Sequence, residues 1–379
     1  MIKNYLIIFF PLVDWDAPWQ RYQHLATTFS KHNKVIYFEP ALSIKYLLKT
    51  PSRLRKKLVR IFQIKNQITE SLFVLNSPPI LPFGNRSHII NCINQFIILL
   101  VMKILIRDFK EKRNLCLWIS DAIHYNLIEW LRPKISVYDF TDAFFFLDSK
   151  KQAFHDRLRH RTIMKTSISF FTSQLYLDEG RKYSHNCHYV PNGVDTKNFK
   201  KRHFPIPKEM RNINRPILGF VGSLDSRIDQ HLIKEILRKK PDVSLVFVGP
   251  LIRNLREFKH SDRLFLLGKK SYREIPNFIN QFDVALIPYR PEKAEAVYPV
   301  KLHEYLILGK PVVSTNIREI RQFSDVVYIA NSKNEFIEKI KLALEEEDIN
   351  EKKKRIETAL KNTWTDRLRK VNQELEKLV

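Results

Sequence analysis

The feature that most constrains this chain is its rhythm. Short apolar runs alternate with stretches of helical period along almost its whole length. In the first half the runs are Tyr5–Phe10, Lys34–Phe38, Leu72–Leu75, Leu115–Ile119, Ile135–Tyr138, Ser167–Phe171 and His188–Val190. In the second half they are Ile217–Val221, Val243–Val248, Leu264–Leu267, Val284–Ile287, Val312–Ser314 and Val326–Ile329. Helical patterns such as Trp19–Lys31, Ile89–Phe109, Lys150–Lys165, Gln230–Leu237, Val300–Leu308 and Lys333–Glu345 fall between them. Runs this short and this apolar are strands covered on both faces, and intervening helices make the connections parallel. A length of 379 residues exceeds one typical core. The expectation is α/β: two doubly wound, Rossmann-like parallel-sheet domains with a cleft between them. The first would cover residues 1–198 and the second 199–350, with helices in 351–379 free to pack back on the first. The boundary is expected near Asn192–Asn198, followed by a polar, basic linker from Lys200 to Arg215.

Charge narrows the partners. The chain holds 65 Lys and Arg against 40 Asp and Glu, a formal net charge of +25. Anionic partners follow: nucleic acid, anionic lipid or a phosphorylated small molecule. Lys45 to Lys65 concentrates the charge, with eight basic residues, no acidic one, and bulky apolar residues between. Such a mixture suits an anionic membrane surface, with Arg53, Arg55, Lys56, Lys57 and Arg60 as the contact residues. A solvated helix face or a nucleic-acid contact would look the same, although no nucleic-acid motif accompanies it. The apolar run near the N-terminus, Tyr5 to Val13, reads as a first strand rather than a leader. Ile89 to Ile106 is interrupted by Asn91, Asn94, Gln95 and Lys103 and reads as a core helix or an interfacial one. The cysteines Cys92, Cys116 and Cys187 are odd in number and widely spaced, which fits buried thiols in a reducing compartment.

Two segments carry chemistry. Pro299 to Val313 sets Lys301 and Glu304 three residues apart on one helical face, with Gly309 to close the helix and Pro311 to stop it. A cation and a carboxylate at a helix start suit a diphosphate beside a diol; an ordinary ion-pair face has the same spacing. Pro216 to Asp229 is the first strand-to-helix junction of the second half. Gly222 there permits close approach of backbone to a ligand, and Arg227 offers a forked cation. Gly219 and Gly222 do not make GxGxxG, which disfavours a dehydrogenase.

Taken in order, five segments resemble the two-domain GT-B glycosyltransferases, and among them the family-4-like (group 1) enzymes of bacterial surface polysaccharide synthesis. The segments are Trp15–Leu25, Tyr138–Ala143, Val190–Asp195, Gly219–Ser223, and Pro299–Leu306 with Gly309–Val313. The resemblance implies that Glu304 grips the ribose of a nucleotide sugar and that Lys301 lies near its diphosphate. It places Gly222 beside the phosphates and Tyr289 in the donor pocket. Gln20, Arg21 and His24 would face the acceptor, and Asp139 or Asp142 would act as base or orient the sugar. A second glutamate common in the family is replaced by Ala296, with Glu295 and Glu292 nearby.

No acidic cluster has metal-ligand spacing, so the expected reaction is metal-independent and uses no cofactor. A UDP- or GDP-linked sugar would be the donor substrate and a lipid-linked or growing surface glycan the acceptor. The expected location is cytoplasmic, at the inner face of the membrane. Two other readings stay open: a sugar-nucleotide epimerase of the same architecture, and a basic nucleic-acid-binding protein.

Overall fold

The computed structural model describes residues 2–17, 19–45, 64–107, 114–141, 148–200, 203–240, 242–251 and 261–379. The chain divides into two compact units. One comprises Met1–Pro191 with Leu368–Val379, the other Asn192–Arg367.

The first unit is built on an eight-stranded sheet of order β3-β4-β2-β1-β5-β6-β7-β8. Its strands are β1 (Leu6–Phe10), β2 (Lys34–Phe38), β3 (Ile64–Thr69), β4 (Leu72–Leu75), β5 (Leu115–Ile119), β6 (Ile135–Phe140), β7 (Ile168–Phe171) and β8 (Cys187–Tyr189). β1 pairs in parallel with both β2 and β5, and every residue of β1, β5, β6 and β7 is buried, as helix cover on both faces requires. The sequence expectation of a wholly parallel sheet needs one correction. β3, Ile-Lys-Asn-Gln-Ile-Thr, runs antiparallel to β4 at the sheet edge. Its four polar residues hid it among the basic residues before it.

The second unit holds a six-stranded parallel sheet of order β11-β10-β9-β12-β13-β14. The strands are β9 (Ile217–Val221), β10 (Ser244–Val248), β11 (Leu264–Leu266), β12 (Val284–Ile287), β13 (Val312–Thr315) and β14 (Tyr328–Ala330). Counted within the unit this is 3-2-1-4-5-6, the doubly wound order of nucleotide-binding sheets. Its direction reverses between β9 and β12, and ligands of such sheets bind beyond the strand ends at that point. Lys200 to Arg215 is not a free linker. Phe199, Met210 and Ile213 are buried in the second core. The Ile349–Leu360 helix also belongs to the second unit, and only Leu368–Val379 of the C-terminal helix belongs to the first.

Candidate functional site

The reversal point of the second unit gathers the predicted donor residues. β9 ends at Val221, whose N–H donates to Tyr305 Oη at 2.8 Å. Tyr305 lies on the Val300–Ile307 helix and is fully buried, so this bond pins the helix against the strand end. Gly222 follows with φ +136°, a conformation that side chains resist. A Cβ there would lie 2.8 Å from Lys301 Nζ. Gly249, after β10, has φ +151°, and a Cβ on it would meet Gly222 O at 2.0 Å. Two bare backbone turns thus pack against each other under the Lys301 ammonium.

Lys301 Nζ sits 4.7 Å above the Phe220 ring and 4.9 Å from the Tyr289 centroid, and it donates to Tyr289 Oη. Arg227 lies over the same tyrosine at 5.5 Å. Its guanidinium is already engaged: Nε and Nη2 donate to the Asp225 carboxylate. Burial alone would raise the Asp225 carboxyl, but the Arg227 hydrogen bonds and charge, with Lys301 behind them, hold it below its usual value. The turn is fixed to the end of β12 by Asp229 N–H to Pro288 O at 2.9 Å and Arg290 N–H to Arg227 O at 2.7 Å. Lys301, Arg227 and Tyr289 therefore form one cationic, aromatic-backed corner.

Glu304 is the unusual member. It is 7% exposed, yet among the described residues its carboxylate accepts no hydrogen bond and forms no ion pair. Burial pushes it up to about 7; Lys301 opposes the rise and Asp195 adds to it. A buried acceptor without a donor is costly and calls for a ligand that supplies hydroxyls. Pro299, the N-cap, makes no side-chain cap; Leu302 N–H bonds Pro299 O at 3.2 Å, which leaves the N–H groups of Val300 and Lys301 at the helix start for an anion.

The sequence singled out Val190–Asp195 as part of the resemblance, and the structure shows what its polar residues do. Asn192 Nδ2 donates to Tyr298 O at 2.9 Å, just ahead of the helix start. Asp195 caps Thr196–Phe199 and contributes its charge beside Glu304. Ala296 is buried, whereas Glu292 and Glu295 are exposed, so neither of these two carboxylates replaces the missing second glutamate.

The first-unit assignments change more. Arg21 and Asp139 are 2% and 0% exposed and bound to each other, Nε at 2.9 Å to both carboxylate oxygens and Nη2 at 2.7 Å. Arg21 Nη1 also donates to Val190 O at 2.9 Å. Reading Asp139 as a catalytic base and Arg21 as an acceptor contact is corrected: neither side chain reaches solvent. His24 is partly buried against Trp19, and desolvation lowers it to about 3, so it is neutral. Gln20 serves as N-cap of Arg21–Phe29 and its N–H donates to Gln23 Oε1. Asp142 and the basic residues Arg53, Arg55, Lys56, Lys57 and Arg60 lie outside the described residues.

Sequence reasoning missed a cavity of about 360 Å³ beyond the ends of β2, β4 and β5, lined by Ser43, Ile80, Phe83, Asp121, Lys151 and His155 among others. Asp121 caps a 3-10 turn through Ile123 N–H at 3.0 Å, and desolvation pushes its carboxyl up to about 6. The signal was present: Asp121 directly follows the strand next to β1, where the order of the first sheet reverses. Among the described residues no group of His, Cys, Asp and Glu could hold a metal ion.

Two doubly wound sheets, with this cationic corner at the reversal point of the second, are the GT-B architecture. Solved structures agree over the whole chain. Sucrose-phosphate synthase from Thermosynechococcus elongatus aligns with a TM-score of 0.72 at 11% identity, covering 99% of each chain. Anabaena Alr3699/HepE, solved with UDP and glucose, gives 0.65 at 13% identity over 99% of this chain and 100% of that one. α,α-Trehalose 6-phosphate synthase from Burkholderia multivorans gives 0.67 at 11% identity, covering 100% and 99%. Within that class, residues 215–346 match the family described as Glycosyl transferases group 1. A stretch of 160 residues is 32% identical to the "Putative teichuronic acid biosynthesis glycosyltransferase TuaH" of Bacillus subtilis (strain 168). That match spans 40% of this chain and 40% of the relative. The resemblance to group 1 glycosyltransferases of bacterial polysaccharide synthesis therefore holds.

Proposed function

We propose that the protein is a metal-independent glycosyltransferase that moves a sugar from a nucleotide-sugar donor to a lipid-linked or growing cell-surface glycan. The observation that carries this reading is Glu304: a buried, unpaired carboxylate on the helix that also presents Lys301, at the reversal point of a nucleotide-type sheet. Glu304 accepts hydrogen bonds from the two ribose hydroxyls and is released unchanged when the nucleotide leaves. Lys301, the 222 turn and the open helix N-terminus meet the diphosphate. Cleavage of the anomeric C–O bond leaves negative charge on that diphosphate, and these preorganised donors stabilise it without a metal. Arg227 joins them by sharing its guanidinium between Asp225 and the phosphate.

On the acceptor side, Asp121 in the first-unit cavity binds the attacking hydroxyl. A carboxyl raised toward neutrality by burial is matched to accepting a proton near neutral pH. The curated relative and the basic run from Lys45 to Lys65 support a surface-polysaccharide acceptor and an anionic membrane partner at the inner face of the cytoplasmic membrane.

Calorimetric titration with UDP-, GDP- and TDP-sugars tests the donor assignment. One of them should bind, and Glu304→Ala should lose that binding by roughly 100-fold or more, as expected when paired buried hydroxyls lose their acceptor. Unchanged affinity in Glu304→Ala for every donor would remove the reading.

A further inference from the structure

The His88–Ile106 helix is built inside out over its first half. Its inward residues are amides: Asn91, Asn94 and Gln95 are 1%, 3% and 1% exposed. Each is bound to the first unit. Asn91 Nδ2 donates to Ile123 O at 3.0 Å, and Asn94 exchanges two bonds with the Leu81 backbone, at 2.7 and 3.0 Å. Gln95 Oε1 accepts from Asn126 N–H at 2.9 Å. The outward residues are apolar: Ile89 is 75% exposed, Ile93 43%, Phe96 52%, Leu100 48% and Ile104 53%. Their spacing of four, three, four and four residues keeps them in one stripe along the helix. An apolar stripe on the solvent side of a helix whose amides face inward marks a surface that is covered by something.

We propose that this stripe inserts into the headgroup boundary of an anionic phospholipid bilayer, with the helix lying in the plane of the surface. Three observations select that occupant. The helix contains no acidic residue, and the only charges on its exposed side, Lys103 and Arg107, lie at its C-terminal end. Trp130 meets Phe96 edge-on with ring centroids 6.2 Å apart, the amphipathic ring type that settles at membrane interfaces. Phe83, just before the helix, is 53% exposed and lies 5.6 Å under the ammonium of Lys45, the first residue of the acid-free basic run. Cations beside an apolar stripe suit phosphate headgroups over acyl chains. The helix is long and apolar enough to cross a bilayer, but its amide bonds into the first unit hold it on the protein. The same docking would present a membrane-borne acceptor to the first-unit cavity, which Phe83 also lines. The inference does not rest on the transferase reading, because vesicle binding requires neither donor nor acceptor.

Co-sedimentation of the full chain with phosphatidylcholine vesicles, with and without phosphatidylglycerol, tests it. The protein should sediment with the phosphatidylglycerol vesicles, and the triple variant Ile93→Ser, Phe96→Ser, Leu100→Ser should partition roughly tenfold more weakly or worse. Ile349→Ser, which removes an exposed apolar residue of the second unit, should change nothing. Preserved far-ultraviolet circular dichroism of the triple variant shows that the loss is not unfolding. Independently, Phe96→Trp emission should shift to the blue on adding anionic vesicles. Equal partitioning of wild type and triple variant, or no shift in Phe96→Trp emission, overturns the proposal. So does a dimer in solution that the triple variant dissociates, because the stripe would then be a self-contact.

Discussion

At the scale of single residues, the proposed role of Glu304 couples function to instability. Its proton is held more tightly in the fold than in the unfolded chain, about 7 against 4.5. The second unit therefore has the full benefit below pH 4.5 and loses it as pH rises to 7. Carrying that charge at pH 8 costs about 3 kcal/mol. Glu304→Gln removes the cost, so its thermal unfolding should be shifted upward at about pH 8, by several degrees, and little near pH 4.5. The same variant should bind nucleotide sugar weakly, a trade of stability for function expected at a ligand site. Equal melting of wild type and variant at both pH values would show that Glu304 is satisfied by the protein itself. Gly222 gives the complementary case. Gly222→Ala meets strain at φ +136° and crowds the Lys301 ammonium, so donor affinity should fall by roughly tenfold or more on titration calorimetry, with Glu304 intact.

At the scale of elements, the Arg21–Asp139 pair joins the Arg21–Phe29 helix to the end of β6. Both groups are out of water, so removing one strands the other. Asp139→Ala should destabilise the first unit by about 3–5 kcal/mol in urea unfolding, and the double change Arg21→Met, Asp139→Leu should recover most of it. A catalytic Asp139 would instead cost turnover without stability. This pair also shows where the sequence is legible. Both residues stood out as polar groups at element ends, yet nothing in the spacing told a paired carboxylate from an exposed base, because the partner lies 118 residues away. Strands buried on both faces, such as β2, β5, β9 and β12, are readable to the residue, since an apolar run between turns has no alternative. β3 is not, because an edge strand needs only half its residues apolar. The His88–Ile106 helix defeats periodicity differently: its length and composition are plain, but the amides that break its apolar run are its anchors, and its apolar residues divide between the core (Ile98, Leu99, Met102) and an exposed stripe (Ile89, Ile93, Phe96, Leu100, Ile104). That Glu304 and Lys301 lie side by side is legible because both sit on one helical turn, whereas the bonds made by Tyr305 and Asn192 and the Asp195 charge beside Glu304 arise only in the fold.

At the scale of the whole molecule, the formal charge of +25 attracts any polyanion and by itself discriminates none. Its effect is long-ranged and falls off over about 8 Å at physiological salt. The proposed donor corner would work at contact distance, through a buried carboxylate and an ammonium fixed over two rings. Salt therefore separates the two kinds of binding. Fluorescence anisotropy with single- or double-stranded DNA should show binding at low salt that falls steeply and is largely lost near 0.15 M, where about 8 Å of screening leaves only close contacts. Nucleotide-sugar affinity over the same range should change by less than roughly fivefold, because the proposed ribose contact is short-range hydrogen bonding to the buried Glu304 and the diphosphate is the part that salt screens. Partition onto anionic vesicles should lie between these, since insertion of the exposed stripe is apolar and survives salt while the attraction of Lys45, Lys103 and Arg107 does not. DNA affinity that persists at physiological salt while sugar nucleotides fail to bind would reverse the order, and would make the basic surface, rather than the Glu304 corner, the functional part of the molecule.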